Sequence, residues 1–187
     1  MADHTHYAGP EAQAPSSIEP SSRLAVRRAG LLDAADIHGL VNLFAQRGDM
    51  LPRTMGEVYE NLRDFFVVRE GEASAKGRFL GCVAVHIVWN DLAEVKSLAV
   101  AEDAQSRGIG SLLVEACIDE GRAIGLQRLF ALTYRPAFFE RLGFEIADVM
   151  DLPRKVWNEC YRCPKFPSCN EIALTLELRV PRKGQPA

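Results

Sequence analysis

The sequence predicts a mixed α/β domain, and three observations lead there. Short segments rich in β-branched and aromatic residues alternate with segments whose apolar residues recur at helical spacing. The strand segments between Phe65 and Val100 follow one another closely, as an antiparallel meander does. The last of them and the next strand flank a glycine-led helix, the order of a parallel β-α-β unit, so the sheet is mixed.

The elements follow in order. Residues 1–22 are rich in Pro, Ser, Ala and Gln and poor in large apolar residues, so they cannot offset the entropy of ordering and are expected to form a disordered tail. His4 and His6 fall there without acidic or thiol partners and are read as bystanders. Leu24 to Arg28 is a short strand. Asp33 starts a helix whose face is Ile37, Leu40, Val41 and Phe44, and Gly48 ends it. The loop from Asp49 to Thr54 leads to a second helix through Leu62, because Thr54 with Glu57 three residues on is a capping-box pattern. Strands are expected over Phe65–Arg69, Phe79–Val88 and Leu92–Val100, with a polar turn over Gly71–Gly77. After Gly108-Ile109-Gly110 comes a helix with Ile109, Leu112, Leu113, Ala116, Cys117 and Ile124 on its apolar face. Leu129–Thr133 is a strand, Pro136 opens a short helix ending near Gly143, and Glu171–Val180 closes the sheet. Residues 23–180 thus form one domain, and 181–187 are expected to fray.

Composition excludes several classes of function. With 187 residues the length suits one domain and a tail, large enough to need no disulfide staples. The net charge of −3 argues against a broad cationic surface for nucleic acid or anionic membrane, so no nucleic-acid or membrane partner is expected. No apolar run reaches membrane-spanning length, and the N-terminus lacks the features of a signal peptide, so a cytoplasmic location is expected. Five cysteines, an odd number, do not suggest a disulfide framework in that compartment.

The strongest local feature is the run from Val95 through Gln105-Ser106-Arg107-Gly108-Ile109-Gly110 into a helix. Glycines let the backbone approach a ligand, and the unpaired N–H groups at a helix start form a site for phosphate oxygens. Arg107 adds a cation at the rim. A Q/R-x-x-G-x-G/A string arises by chance about 0.1–0.3 times in a chain of this length, so the order strand, turn, helix carries the reading. The spacing is neither that of a dinucleotide fingerprint nor that of a P-loop.

A strand ending LAV, the Q-x-x-G-x-G turn, a helix, the strand LFALT and then AFFERLGF resemble the acetyl-CoA-binding half of the GNAT N-acetyltransferases, over roughly residues 23–180. The resemblance implies a mixed central sheet of about seven strands with about four helices, whose splayed parallel strands cradle acetyl-CoA. It places the pantetheine arm against backbone groups of Leu98 and Val100, and the pyrophosphate against N–H groups of Gln105, Arg107, Gly108, Ile109, Gly110 and Ser111. A narrower set, MLPRT (50–54), AEVKSLAV (93–100), FALTY (130–134) and LPRKVWNECYRCPKFPSCNEIAL (152–174), is similar to the short single-domain bacterial N-acetylglutamate synthases. That similarity implies acetyl transfer from acetyl-CoA to the α-amine of L-glutamate, the first step of arginine biosynthesis, and points to a homodimer. An acetyltransferase for another amine and a non-catalytic acetyl-CoA-binding module are the rival readings.

Acetyl transfer requires a base for the ammonium, donors for the oxyanion and a proton for the departing thiolate. The resemblance puts the base at Glu94, directly or through water; the rival reading is a strand carboxylate paired with Lys96. Strand alternation sets Glu94 on one face with Lys96 and Leu98. A backbone N–H near Leu98 is the expected oxyanion donor. Phe139 stands where many acetyltransferases carry Tyr, so Tyr134 or Thr133 is the expected proton donor, with packing as the alternative role of Tyr134. Arg53, which the resemblance assigns to the substrate carboxylate, joins Lys96, Arg154 and Lys155 as cations for glutamate, at least one of the last two being a surface charge. Cys160, Cys163 and Cys169 admit two readings, a zinc site or a rigid loop of small residues; the loop is preferred and no metal is expected. Cys82 and Cys117 lie on core faces.

Overall fold

Strand β1 (Ala25–Arg28) opens a seven-stranded sheet in a computed structural model that describes residues 24–71, 77–152, 161, 165 and 168–178. Helix α1 (Ala34–Gln46) and helix α2 (Met55–Glu60) precede β2 (Phe65–Arg69), β3 (Phe79–Ile87) and β4 (Leu92–Val100). Helix α3 (Ile109–Ala123) leads to β5 (Arg128–Thr133), followed by helix α4 (Pro136–Glu140), β6 (Glu145–Ile146) and β7 (Ile172–Glu177). The strand order is β1-β2-β3-β4-β5-β7-β6, and only the β4–β5 pair is parallel. The mixed sheet and the β-α-β unit stand as expected.

Several boundaries moved. Asp33 is the N-cap of α1, as expected, but its side chain makes no capping hydrogen bond because that carboxylate is used elsewhere. It ends a short 3-10 turn (Leu31–Asp33), where it accepts hydrogen bonds from Arg27, Arg69 and the Gly30 N–H. Helix α2 stops at Glu60, and Leu62 begins another 3-10 turn. The capping box forms: the Glu57 N–H donates to Thr54 Oγ1 at 3.2 Å, and the Thr54 N–H donates to Glu57 Oε2 at 2.7 Å. Helix α4 is shorter than expected, and β6 was not legible because two residues carry no periodicity. Of the closing strand, Glu171 and Leu178 flank β7, and Val180 lies outside the described residues, as do 1–23 and 181–187.

The core has two main layers because the sheet is covered on both faces. Ile109, Leu113, Val114 and Cys117 of α3 pack on Val68, Leu80, Val83 and Val95, while Ile37, Val41 and Phe44 of α1 and Val58 of α2 pack on Phe65, Val67, Cys82 and Ala99. Arg69 and Asp33 are the buried charged residues among those described, 7% and 1% exposed, and their pair ties β2 to the turn before α1. Burial alone would push the Asp33 carboxyl up, but hydrogen bonds from Arg27, Gly30 and Arg69 outweigh it and bring it down to about 2.

Candidate functional site

Strands β4 and β5 pair only from Leu92 opposite Arg128 to Glu94 opposite Phe130. Past that point β4 continues along β3 while β5 continues along β7, so the two parallel strands part. A bulge marks the change. Val83 on β3 faces two residues of β4, Ser97 and Leu98, and Ser97 sits at φ 53° in the left-handed region. The bulge also overturns one expectation: it resets the alternation, so Leu98 packs on the α3 layer with Val95 and Val100, while Ala99 faces the α1 layer. Glu94, Lys96 and Leu98 therefore do not share a face.

The opening between the strands is a cavity of about 500 Å³. Its walls include Leu98, Val100, Leu132, Thr133, Tyr134 and Phe138. Gln105, Ser106, Gly108, Ile109, Gly110 and Ser111 also line it, so the start of the 15-residue helix α3 opens onto this space. Gly108 has φ 78°, which favours glycine, and a Cβ on Gly110 would lie 3.3 Å from the Phe138 ring. Gln105 Nε2 donates to the Val100 carbonyl at 3.2 Å, tying the turn to β4. Arg107 is not among the lining residues; its guanidinium lies 3.5 Å from a Glu70 carboxylate oxygen on the exposed side of the turn.

A second space of about 170 Å³ adjoins the first, and Lys96 and Ser97 line both. Arg53 lies there, its backbone held by Asn42 of α1, whose Nδ2 donates to the Arg53 carbonyl at 2.8 Å while Oδ1 accepts from the Arg53 N–H at 3.2 Å. His86 Nδ1 and Asp64 Oδ2 are 2.6 Å apart on its wall. Lys96 Nζ is 3.6 Å from Glu94 Oε2, with both side chains mostly buried, and Glu94 is not among the residues lining either space. The pairing with Lys96 that the sequence left open is thus present.

At the far wall, Lys165 Nζ donates to the Tyr134 hydroxyl at 2.9 Å and to the Gly48 carbonyl at 2.6 Å. Burial raises the Tyr134 phenol, against the lowering effect of Lys165. Burial likewise raises the Glu171 carboxyl, which lines the cavity and accepts from the Cys169 thiol at 3.7 Å. Thr133 Oγ1 accepts from the Arg135 N–H at 3.0 Å. Phe139 is buried, with edge contacts to Phe138 and Phe144 at 5.1 and 5.2 Å. Arg154, Lys155, Cys160 and Cys163 lie outside the described residues. Burial pushes the Cys82 thiol up to about 12 and that of Cys117 also up, as core positions do. Among the described residues no group of three or more His, Cys, Asp or Glu is placed to hold a metal, and no helix is long and apolar enough to cross a membrane.

Sequence reasoning missed Asn42, the Asp64–His86 pair and Lys165. Lys165 stands inside the 152–174 match but has no local pattern of its own, and the other three meet only through folding.

A parallel pair that parts at a bulge, with a glycine turn and a helix start at the opening, defines an acyltransferase of the GNAT type. The model of the acetyltransferase (GNAT) family matches residues 40–144, and the chain belongs to that family. It is 38% identical over 159 residues to an uncharacterized N-acetyltransferase of Chlorobaculum tepidum, covering 85% of this chain and 99% of that one. It is 32% identical over 140 residues to an amino-acid acetyltransferase of Mycobacterium tuberculosis, covering 75% of this chain and 79% of the relative. Among solved structures, N-acetylglutamate synthase from Neisseria gonorrhoeae complexed with coenzyme A and N-acetyl-glutamate superimposes with a TM-score of 0.74 at 26% identity. That match covers 84% of this chain and 36% of the longer protein.

Proposed function

We propose that this chain transfers the acetyl group of acetyl-CoA to the α-amine of L-glutamate by direct attack in a ternary complex. The observation that carries the reading is the meeting of two unequal spaces at Lys96 and Ser97, beside the bulge. The larger suits an extended thioester, its pyrophosphate at the amides of Gln105 to Ser111 and its arm along Leu98 and Val100. The smaller suits an amino acid, with Arg53 and Lys96 as the cations for carboxylate. The relatives named amino-acid acetyltransferase and N-acetylglutamate synthase support the acceptor class.

On this reading the ammonium gives up a proton to Glu94 by way of water, since Glu94 lines neither space. The amine nitrogen then bonds to the thioester carbonyl carbon, and the backbone N–H near Leu98 receives the oxyanion. When the C–S bond breaks, Tyr134 gives its hydroxyl proton to the sulfur while the Lys165 ammonium stabilises the phenolate, and the second proton of the attacking nitrogen passes through water to restore the Tyr134 hydroxyl. Arg107, paired with Glu70, stays at the rim. The same reading puts the chain at the start of arginine biosynthesis in the cytoplasm, as a homodimer.

Thiol release from acetyl-CoA with a panel of amino acids tests the proposal. Turnover confined to glutamate and close analogues is the expected result. Turnover only with other amines, or acetyl-CoA binding without thiol release, overturns it.

A further inference from the structure

The acceptor space is electrostatically at odds with an anionic acceptor. Its ionisable walls are Arg53 and Lys96 against Glu57, Glu60 and Asp64, with His86 as the remaining titratable group. Lys96 is also engaged by Glu94 from its own strand. With a neutral imidazole the cations are outnumbered by these carboxylates and Glu94, whereas an imidazolium adds a third cation and narrows the difference. Glutamate carries one more negative than positive charge, so it gains from the second state.

The geometry also prepares His86 for this choice. It sits on β3 opposite Glu94 of β4, and its Nδ1 is 2.6 Å from the Asp64 carboxylate. With Nδ1–H donated to Asp64, Nε2 is the remaining nitrogen of a ring that lines the acceptor space. In the neutral ring Nε2 accepts a hydrogen bond; in the imidazolium it donates one. A carboxylate needs the donor, whereas a carboxamide bonds to either state, its oxygen to the imidazolium and its N–H to the neutral ring.

We propose that His86, held by Asp64, is a specificity-determining residue whose protonation state decides between a carboxylate and a carboxamide on the acceptor side chain. The inference rests on the amino-acid acetyltransferase reading above and deepens it. The sign follows directly: the imidazolium exists below its titration, so preference for glutamate is present at low pH and is lost as pH rises through it.

The test is the ratio of kcat/KM for glutamate to that for glutamine, followed between about pH 5 and 8. The ratio cancels deprotonation of the α-amine and the contribution of Glu94, which the two acceptors share. The wild-type ratio falls by about tenfold per pH unit above the titration of His86, the slope for one proton. In His86→Gln the ratio becomes flat and sits about 10–100-fold below the low-pH wild-type value, because the amide cannot become cationic. A wild-type ratio independent of pH, or one whose pH dependence survives in His86→Gln, overturns the proposal.

Calorimetric binding of N-acetyl-glutamate and N-acetyl-glutamine to the CoA-loaded protein separates this failure from failure of the reaction. If neither amino acid is acetylated but N-acetyl-glutamate binding weakens above the His86 titration in wild type and not in His86→Gln, the reaction falls and the role of His86 stands. If neither compound binds, both fall.

Discussion

The two spaces that meet at Lys96 and Ser97 are built from different materials. The larger one is walled mainly by backbone and small or apolar side chains: a bulge, a turn with Ser106 and Gly108 at positive φ, and a helix start. The smaller one is walled by charged side chains from the loop before α2, from α2, from the turn before β2, and from β3 and β4. Backbone donors suit a cofactor whose phosphates and amides are constant. Charged side chains suit an acceptor that must be told from its near relatives.

The largest effect that would sharpen this contrast is at Glu94. Glu94→Gln is expected to lower kcat by about 10²–10⁴ while the acetyl-CoA KM changes little. An unchanged pH–rate profile in steady-state kinetics would remove it as the base. Next comes the scaffold that both spaces share. Asp33→Asn removes the buried anion shared by Arg69 and Arg27 and leaves Arg69 only the half-exposed Asp36 carboxylate, so it should cost about 1–3 kcal/mol, read from denaturant unfolding. Because the Asp33 carboxyl is held at about 2 in the fold, its contribution is complete above the ordinary carboxylate value. It fades as pH falls from about 4 toward about 2, and that part of the acid transition should be missing in the variant.

Arg53→Ala tests the acceptor side alone. It should raise the glutamate KM by about 10–100-fold and leave the acetyl-CoA KM near wild type. Equal changes in both constants would mean that the two spaces are not separate sites. Gly108→Ala tests the cofactor side. At φ 78° the added Cβ should cost about 1–2 kcal/mol of stability and weaken acetyl-CoA in an equilibrium titration, with little effect on acceptor selectivity.

Local patterns were legible where a residue acts through its neighbours in the chain. The Thr54–Glu57 capping box, the apolar face of α3 and the strands Phe65–Arg69 and Leu92–Val100 follow from spacing alone. The glycine turn was legible for the same reason, since its backbone groups and the helix they open are contiguous. The partner of Arg107, in the same turn, was not legible, because Glu70 reaches it from just past the end of β2. The placement of Leu98 failed for a different reason. Alternation holds only while the ladder is regular, and the bulge at Ser97 and Leu98 exchanges the faces beyond it.

The sequence by itself determined the order of the longer elements, the mixed sheet and the glycine turn ahead of α3, because these depend on periodicity and on glycine at short range. Only the tertiary structure decided where β4 and β5 part, which face Leu98 takes, and that Asn42, Asp64, His86 and Lys165 join the site. Those contacts link residues far apart in the chain, such as Asn42 to Arg53, Asp64 to His86, and Lys165 to Tyr134 and Gly48. No short-range spacing encodes them, since each forms only when packing of the two core layers brings separate elements to the opening of the sheet.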